Sequence, residues 1–172
     1  MSKQQLHRHL PYESAQILLL ESDSRLFVAR EAPRPDAPKQ AVKYPLTFDA
    51  ADFPVIQRVL ASQSGLVVSD TKQEQEWHAP RGSGQLRSWL CVPLVASRQT
   101  LGLLSLGRPV PDSFTLEHLR LAKLVAIPAA AAIQNARLYE CAKIYGPELE
   151  KRTSDLQKAE SALQRFQSRR PS

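Results

Sequence analysis

Leu86-Arg-Ser-Trp-Leu-Cys-Val-Pro-Leu-Val95 and Thr100-Leu-Gly-Leu-Leu-Ser-Leu106 decide how this chain folds. Both are apolar runs of strand length, rich in leucine and valine. The four-residue link Ala96-Ser-Arg-Gln99 suits a hairpin, although it lacks the glycine such turns often carry. Side chains alternate across a strand, so the first run divides into two rows. Leu86, Ser88, Leu90, Val92 and Leu94 form one row, mostly apolar and suited to packing against helices. Arg87, Trp89, Cys91 and Pro93 form the other: a cation, an indole, a thiol and a ring. The second row is the one assigned to a binding pocket.

Upstream, Ser14-Ala-Gln-Ile-Leu-Leu-Leu20 and Arg25-Leu-Phe-Val-Ala-Arg30 read as two strands, with turn chemistry in Glu21-Ser-Asp-Ser24. Pro33, Pro35, Pro38 and Pro45 make the following stretch a loop, because each lacks the amide donor of a ladder or helix. Asp52 is placed to cap a short helix with Pro54 in its first turn. Ile56, Val59 and Leu60 share one face of it, Gly65 is placed to end it, and Leu66-Val-Val-Ser69 follows as a brief strand. Residues 70–85 are polar, with two glycines and few apolar anchors. That composition predicts a mobile lid above Trp89.

Downstream, a long helix begins near Thr115, which can cap it, and Glu117 sits in its first turn, where the helix dipole favours an anion. Pro128 predicts a kink and Gly146-Pro147 a break or restart. Beyond that point Leu149, Leu156 and Leu163 recur every seven residues, with Arg152, Ala159 and Phe166 three positions after each. This short heptad pattern reads either as a seam for a second copy or as a surface helix tail.

Composition bounds the function. With 172 residues the chain holds one ordinary domain and a short appendage. Its longest uncharged apolar run, Leu124 to Ile133, contains Pro128 and is half the roughly 20 residues a membrane span needs. No signal peptide is visible at the N-terminus, and Cys91 and Cys141 make neither a disulfide framework nor a CxxC pair. These features predict a cytoplasmic location without membrane insertion. The net charge of +6 is dispersed and gathers no basic run with interleaved aromatics, so direct nucleic-acid binding is not expected.

Four segments carry a family resemblance: Arg87-Ser-Trp-Leu-Cys-Val-Pro-Leu94, Leu101-Gly-Leu-Leu-Ser-Leu106, Phe114-Thr115 and Ile133-Gln-Asn-Ala-Arg-Leu-Tyr-Glu140. Together they resemble the C-terminal half of a GAF domain. Leu10-Pro-Tyr-Glu-Ser-Ala-Gln-Ile17 and Leu66-Val-Val-Ser-Asp70 resemble its N-terminal half, so the likeness covers roughly residues 6–141. The tail Leu149-Glu-Lys-Arg-Thr-Ser-Asp-Leu156 resembles the helix that follows such domains in bacterial sensor histidine kinases. The resemblance implies an α+β, GAF/PAS-like fold. An antiparallel sheet of about six strands would carry terminal helices on one face and a ligand pocket on the other. It divides the chain into a GAF domain over 1–145, with a shortened first helix, and an outgoing signalling helix over 146–172. The implied function is regulatory: sensing an unidentified small molecule and signalling through the C-terminal helix to an output domain, of histidine kinase type, in the same parent chain. A dimerising spacer without ligand and a small thiol redox enzyme using Cys91 are the alternatives.

The expected ligand contacts are Asp70, Trp77, His78, Arg87, Trp89 and Cys91. Two tryptophans, an arginine and an aspartate can hold an aromatic or apolar molecule with a carboxylate or amide handle. The competing reading makes Trp89 ordinary core and pairs Arg87 with Asp70 structurally. Glu74 and His78, four apart, are too few for a metal site. Gly82-Ser-Gly84 follows Pro80-Arg81 and is no nucleophile elbow. Bilin-binding GAF domains use a cysteine in the covering region, and residues 70–85 have none; one pocket thiol cannot complete sulfoxide reduction. No catalytic residue or cofactor is assigned. A parallel homodimer with Leu149, Leu156 and Leu163 as its seam is expected.

Overall fold

The computed structural model describes residues 10, 12–22, 25–33, 47–78 and 85–167. Six antiparallel strands form one sheet in the order β3-β2-β1-β6-β5-β4. They are β1 (Ser14–Ser22), β2 (Arg25–Pro33), β3 (Thr47–Asp49), β4 (Leu66–Val68), β5 (Ser88–Ala96) and β6 (Gln99–Arg108). The two leucine-rich runs pair as the central hairpin β5-β6, and β1 joins β6 on its other side, with Leu18 opposite Leu103. Only β3 was not foreseen. At three residues it is too short to show periodicity, and pairing with Arg25–Phe27 of β2 is what makes it a strand. The β1-β2 turn at residues 23–24, most of the proline-rich stretch and the expected first helix fall outside the described residues.

Alternation in β5 builds two layers. Trp89 and Cys91 point into a core shared with Leu18, Leu26, Leu103 and Val68 from the sheet. Val55, Ile56 and Val59 of helix α1 (Pro54–Ser62) close that core. Leu90, Val92 and Leu94, equally buried, lie on the opposite face. Each such side chain contributes roughly 1.5–3 kcal/mol by leaving water. Leu86 departs from its expected row. It precedes the first paired residue, Ser88, so strand alternation does not govern it, and it packs with the Trp89 core instead.

The helix α2 (Leu116–Gln167) begins as expected: the Thr115 hydroxyl accepts from the His118 amide at 3.3 Å, and His118 Nδ1 accepts from the Thr115 amide at 3.1 Å. Up to Ala132, in the first of two compact units, it buries Ala122, Ala126 and Ala130 at four-residue spacing. Gly65 explains itself here. A Cβ on it would lie 2.7 Å from Leu119 Cδ1 and 2.8 Å from Val92 Cγ1, so its bareness lets α2 approach β5.

Three local expectations are corrected. Asp52 does not cap α1: it lies in a 3-10 turn (Ala50–Asp52) whose first amides are served by Asp49, which accepts from Ala51 N–H at 2.9 Å. Nor does Gly65 end α1, which stops at Gln63 in the left-handed region (φ 49°). Gly146-Pro147 does not break α2, which runs unbroken through both it and Pro128. Pro147 removes one amide donor, while Leu, Glu, Lys and Ala on both sides favour the helix strongly enough to carry it across. From Ile133 onward the second unit is this helix, with Leu138, Tyr145, Leu149, Leu156 and Leu163 all exposed.

Candidate functional site

The site is assembled on the face of β5 that carries Trp89. This indole is 3% exposed and donates its Nε1–H to Ser105 Oγ of β6 at 2.8 Å. Trp77 stands against it edge-on, with ring centroids 5.2 Å apart and planes at 63°. The covering segment thus meets Trp89 through Trp77, as anticipated. Phe48 and Phe53 form a second edge-on pair, 5.1 Å apart, against the same core.

Asp70 and Arg87 are drawn together by the antiparallel pairing of β4 with β5: Val68 lies opposite Trp89, and continuing that register by two residues brings Asp70 beside Arg87. Arg87 Nε donates to Asp70 Oδ1 at 2.9 Å and Nη2 to Oδ2 at 2.7 Å, a forked pair. Lys72 N–H adds a third bond to Oδ1. The Arg87 hydrogen bonds, outweighing partial burial, hold the Asp70 carboxyl down at about 2, and Arg87 is raised in turn.

The other two expected contacts sit differently. His78 is exposed and its Nδ1 lies 2.8 Å from the Asp52 carbonyl oxygen, so it is engaged with the 3-10 turn and not with Trp89. Cys91 is 0% exposed inside the core, and burial pushes its thiol far above the ordinary range. Burial that disfavours the thiolate makes a thiol a poorer nucleophile. No cluster of His, Cys, Asp and Glu able to hold a metal occurs among the described residues.

Sequence reasoning missed Ser105 and Arg58. Ser105 was legible: it is the one polar residue in Leu101–Leu106, at the parity of Leu103, which faces Trp89. Arg58 of α1 reaches Glu74 (3.7 Å) and Glu76 (3.3 Å) of the covering segment, a meeting no local pattern announces.

Residues 1–135 match the family described as GAF domain. No curated protein matches the chain. Among solved structures, the GAF domain of a two-component sensor histidine kinase from Bacillus halodurans is 18% identical. It aligns over 80% of this chain and 91% of its own, with a TM-score of 0.64. The GAF domain from a phosphoenolpyruvate-protein phosphotransferase of Coxiella burnetii aligns over 79% and 80% at 17% identity (TM-score 0.65). A type II free methionine-R-sulfoxide reductase from Thermoplasma acidophilum aligns over 77% and 86% at 14% identity (TM-score 0.61). These likenesses establish a shared fold, and the family match spans most of the sequence. The chain belongs to the GAF domain family.

Proposed function

We propose that this is the regulatory, small-molecule-sensing GAF domain of a cytoplasmic signal-transduction protein. It passes a conformational signal through α2 to an output domain, of histidine kinase type, in the same parent chain. The observation that carries this reading is the double use of β5. Trp89 lies on the face met by Trp77 while Val92, three residues on, lies with Leu119 of α2 around Gly65. A ligand that shifts Trp77 or Trp89 therefore acts one strand's thickness from the helix that leaves the domain. A ligand can bias that helix only by its differential affinity for two packings.

Trp77 and Trp89 are assigned as the apolar contacts, and the Asp70–Arg87 pair as the polar rim. The domain acts as a parallel homodimer through the Leu149, Leu156 and Leu163 seam. We assign it no catalytic activity, because Cys91 is sealed in the core. No helix among the described residues is long and apolar enough to cross a membrane.

One observation favours a second reading, the ligand-free dimerising spacer: the indole N–H of Trp89 and the forked Arg87–Asp70 pair are already satisfied internally. A thermal-shift screen of aromatic and carboxylate-bearing small molecules separates the two, since a ligand bound only by the folded state raises its melting temperature. The sensor reading expects at least one compound whose shift is lost in Trp89→Ala or Arg87→Ala. A screen in which no compound shifts the wild type selects the spacer. Turnover of methionine sulfoxide abolished by Cys91→Ser would select an enzyme instead.

A further inference from the structure

The segment that covers Trp89 is fastened by different physics at its two ends. At Asp70–Thr71 the fastening is buried. Thr71 is 7% exposed; its amide donates to the Arg87 carbonyl at 2.9 Å and its hydroxyl to the Leu86 carbonyl at 2.6 Å. From there the segment is tied to itself, with the Gln73 and Glu74 amides donating to the Asp70 carbonyl and the Trp77 amide to that of Glu74. Residues 71–77 are therefore tied into one unit anchored at Asp70–Thr71.

Its outer end is held by the packing of half-buried Trp77 against Trp89 and the core, and by polar contacts to α1 and the turn before it. Arg58 Nη2 lies 3.7 Å from Glu74 Oε2 and Nη1 3.3 Å from Glu76 Oε2, and the Arg58 side chain is 47% exposed. His78 Nδ1 rests 2.8 Å from the Asp52 carbonyl. Trp77 is the one large apolar residue between 71 and 78. One arginine shared by two carboxylates is a weak, salt-screened attachment beside a buried anchor, so it is the first contact to yield.

We propose that residues 71–78 form a strap closed over Trp89 by Arg58, which acts as its latch through Glu74 and Glu76 and sets access to the site. Opening carries Trp77 off Trp89, and ionic strength tunes it. Arg58 is a positioning residue with no role in contacting a ligand. The proposal rests on the sensor reading only in taking the Trp89 face as the site, and the strap is tested without any ligand.

Trp77 and Trp89 are the only tryptophans in the chain, so acrylamide quenching of intrinsic emission reports on this place alone. Amide hydrogen exchange over residues 72–77 gives a second readout. In the full chain, Arg58→Ala is expected to raise both by about two- to five-fold, the yield of a surface ion-pair network. Exchange over Leu101–Leu106 should stay unchanged, and Arg58→Lys should fall between. Added salt should bring the wild type toward Arg58→Ala and leave the variant nearly flat. Wild-type-like quenching and exchange in Arg58→Ala would overturn the latch. If that variant instead exchanges faster everywhere, Glu74→Gln/Glu76→Gln decides. A rise confined to 72–77 supports the latch, and no rise overturns it. The ligand screen stands or falls separately.

Discussion

Asp70 keeps its charge at the end of β4 because Arg87 meets it with two parallel donors. A carboxyl held at about 2 in the folded state, against 3.8 as its ordinary value, binds its proton more readily once unfolded. Its contribution to stability is therefore fully present above pH 3.8 and is lost as pH falls toward about 2. Asp70→Asn should unfold at lower urea than the wild type at neutral pH, with the gap closing through that window. A gap constant down to about pH 2 would place the acid sensitivity elsewhere. The cysteines allow a second test at this scale. Cys91 is buried and its thiol is held neutral, whereas Cys141 is exposed. An aromatic disulfide reagent should titrate Cys141 rapidly in the native protein and reach Cys91 only at the rate of unfolding. Equal native rates would restore Cys91 as a candidate for redox chemistry.

At the scale of elements, the β5-β6 connection is tighter than its sequence suggests. Val95 pairs with Thr100 and Ala96 with Gln99, so Ser97 and Arg98 alone make the turn, both at positive φ (48° and 64°). Those angles match a type I′ turn, for which Asn-Gly is the preferred pair. Gln63, also left-handed, steadies the turn by donating Nε2–H to Thr100 Oγ1 at 3.1 Å and to the Arg98 carbonyl at 3.4 Å. Both acceptors survive a change of the turn side chains. Ser97→Asn/Arg98→Gly should therefore stabilise the domain by about 0.5–1 kcal/mol in chemical denaturation. A loss of stability would show that the Ser97 or Arg98 side chain makes a contact worth more than the strain.

For the whole molecule, the proposed dimer follows from what α2 leaves uncovered. Leu149, Leu156 and Leu163 are 61%, 69% and 61% exposed, and Leu138 and Tyr145 extend upstream the companion row of Arg152, Ala159 and Phe166, because Gly146-Pro147 leaves the helix intact. Arg152, the polar residue in that row, is drawn to Glu148 at 2.8 Å, which takes its charge toward the edge of the seam. Covering these side chains with a second copy yields roughly 1.5–3 kcal/mol for each large one before entropy. Association in the roughly micromolar range is expected. Sedimentation should find a concentration-dependent dimer for the wild type and a monomer for Leu156→Lys. Equal behaviour of the two, as monomers or as dimers, would remove the seam from the interface.

Sequence alone determined the parts that depend on neighbours along the chain. Alternation in residues 86–106 marked the central hairpin and the two faces of β5, and the Thr115 cap marked the start of α2, since both patterns repeat within a few residues. The pairing of Asp70 with Arg87 and a meeting of Trp77 with Trp89 were named as possibilities, because alternation puts Arg87 and Trp89 in one row and the polar segment beginning at Asp70 was read as its cover. What only the tertiary structure decided comes from distant segments sharing space. Gly65 is bare because Leu119 arrives from a helix more than fifty residues later. His78 turns to Asp52 because α1 and its preceding turn lie beside the covering segment. Cys91 is sealed from solvent because β1, β2, β4, β6 and α1 close over it, a matter of burial that no single strand can encode.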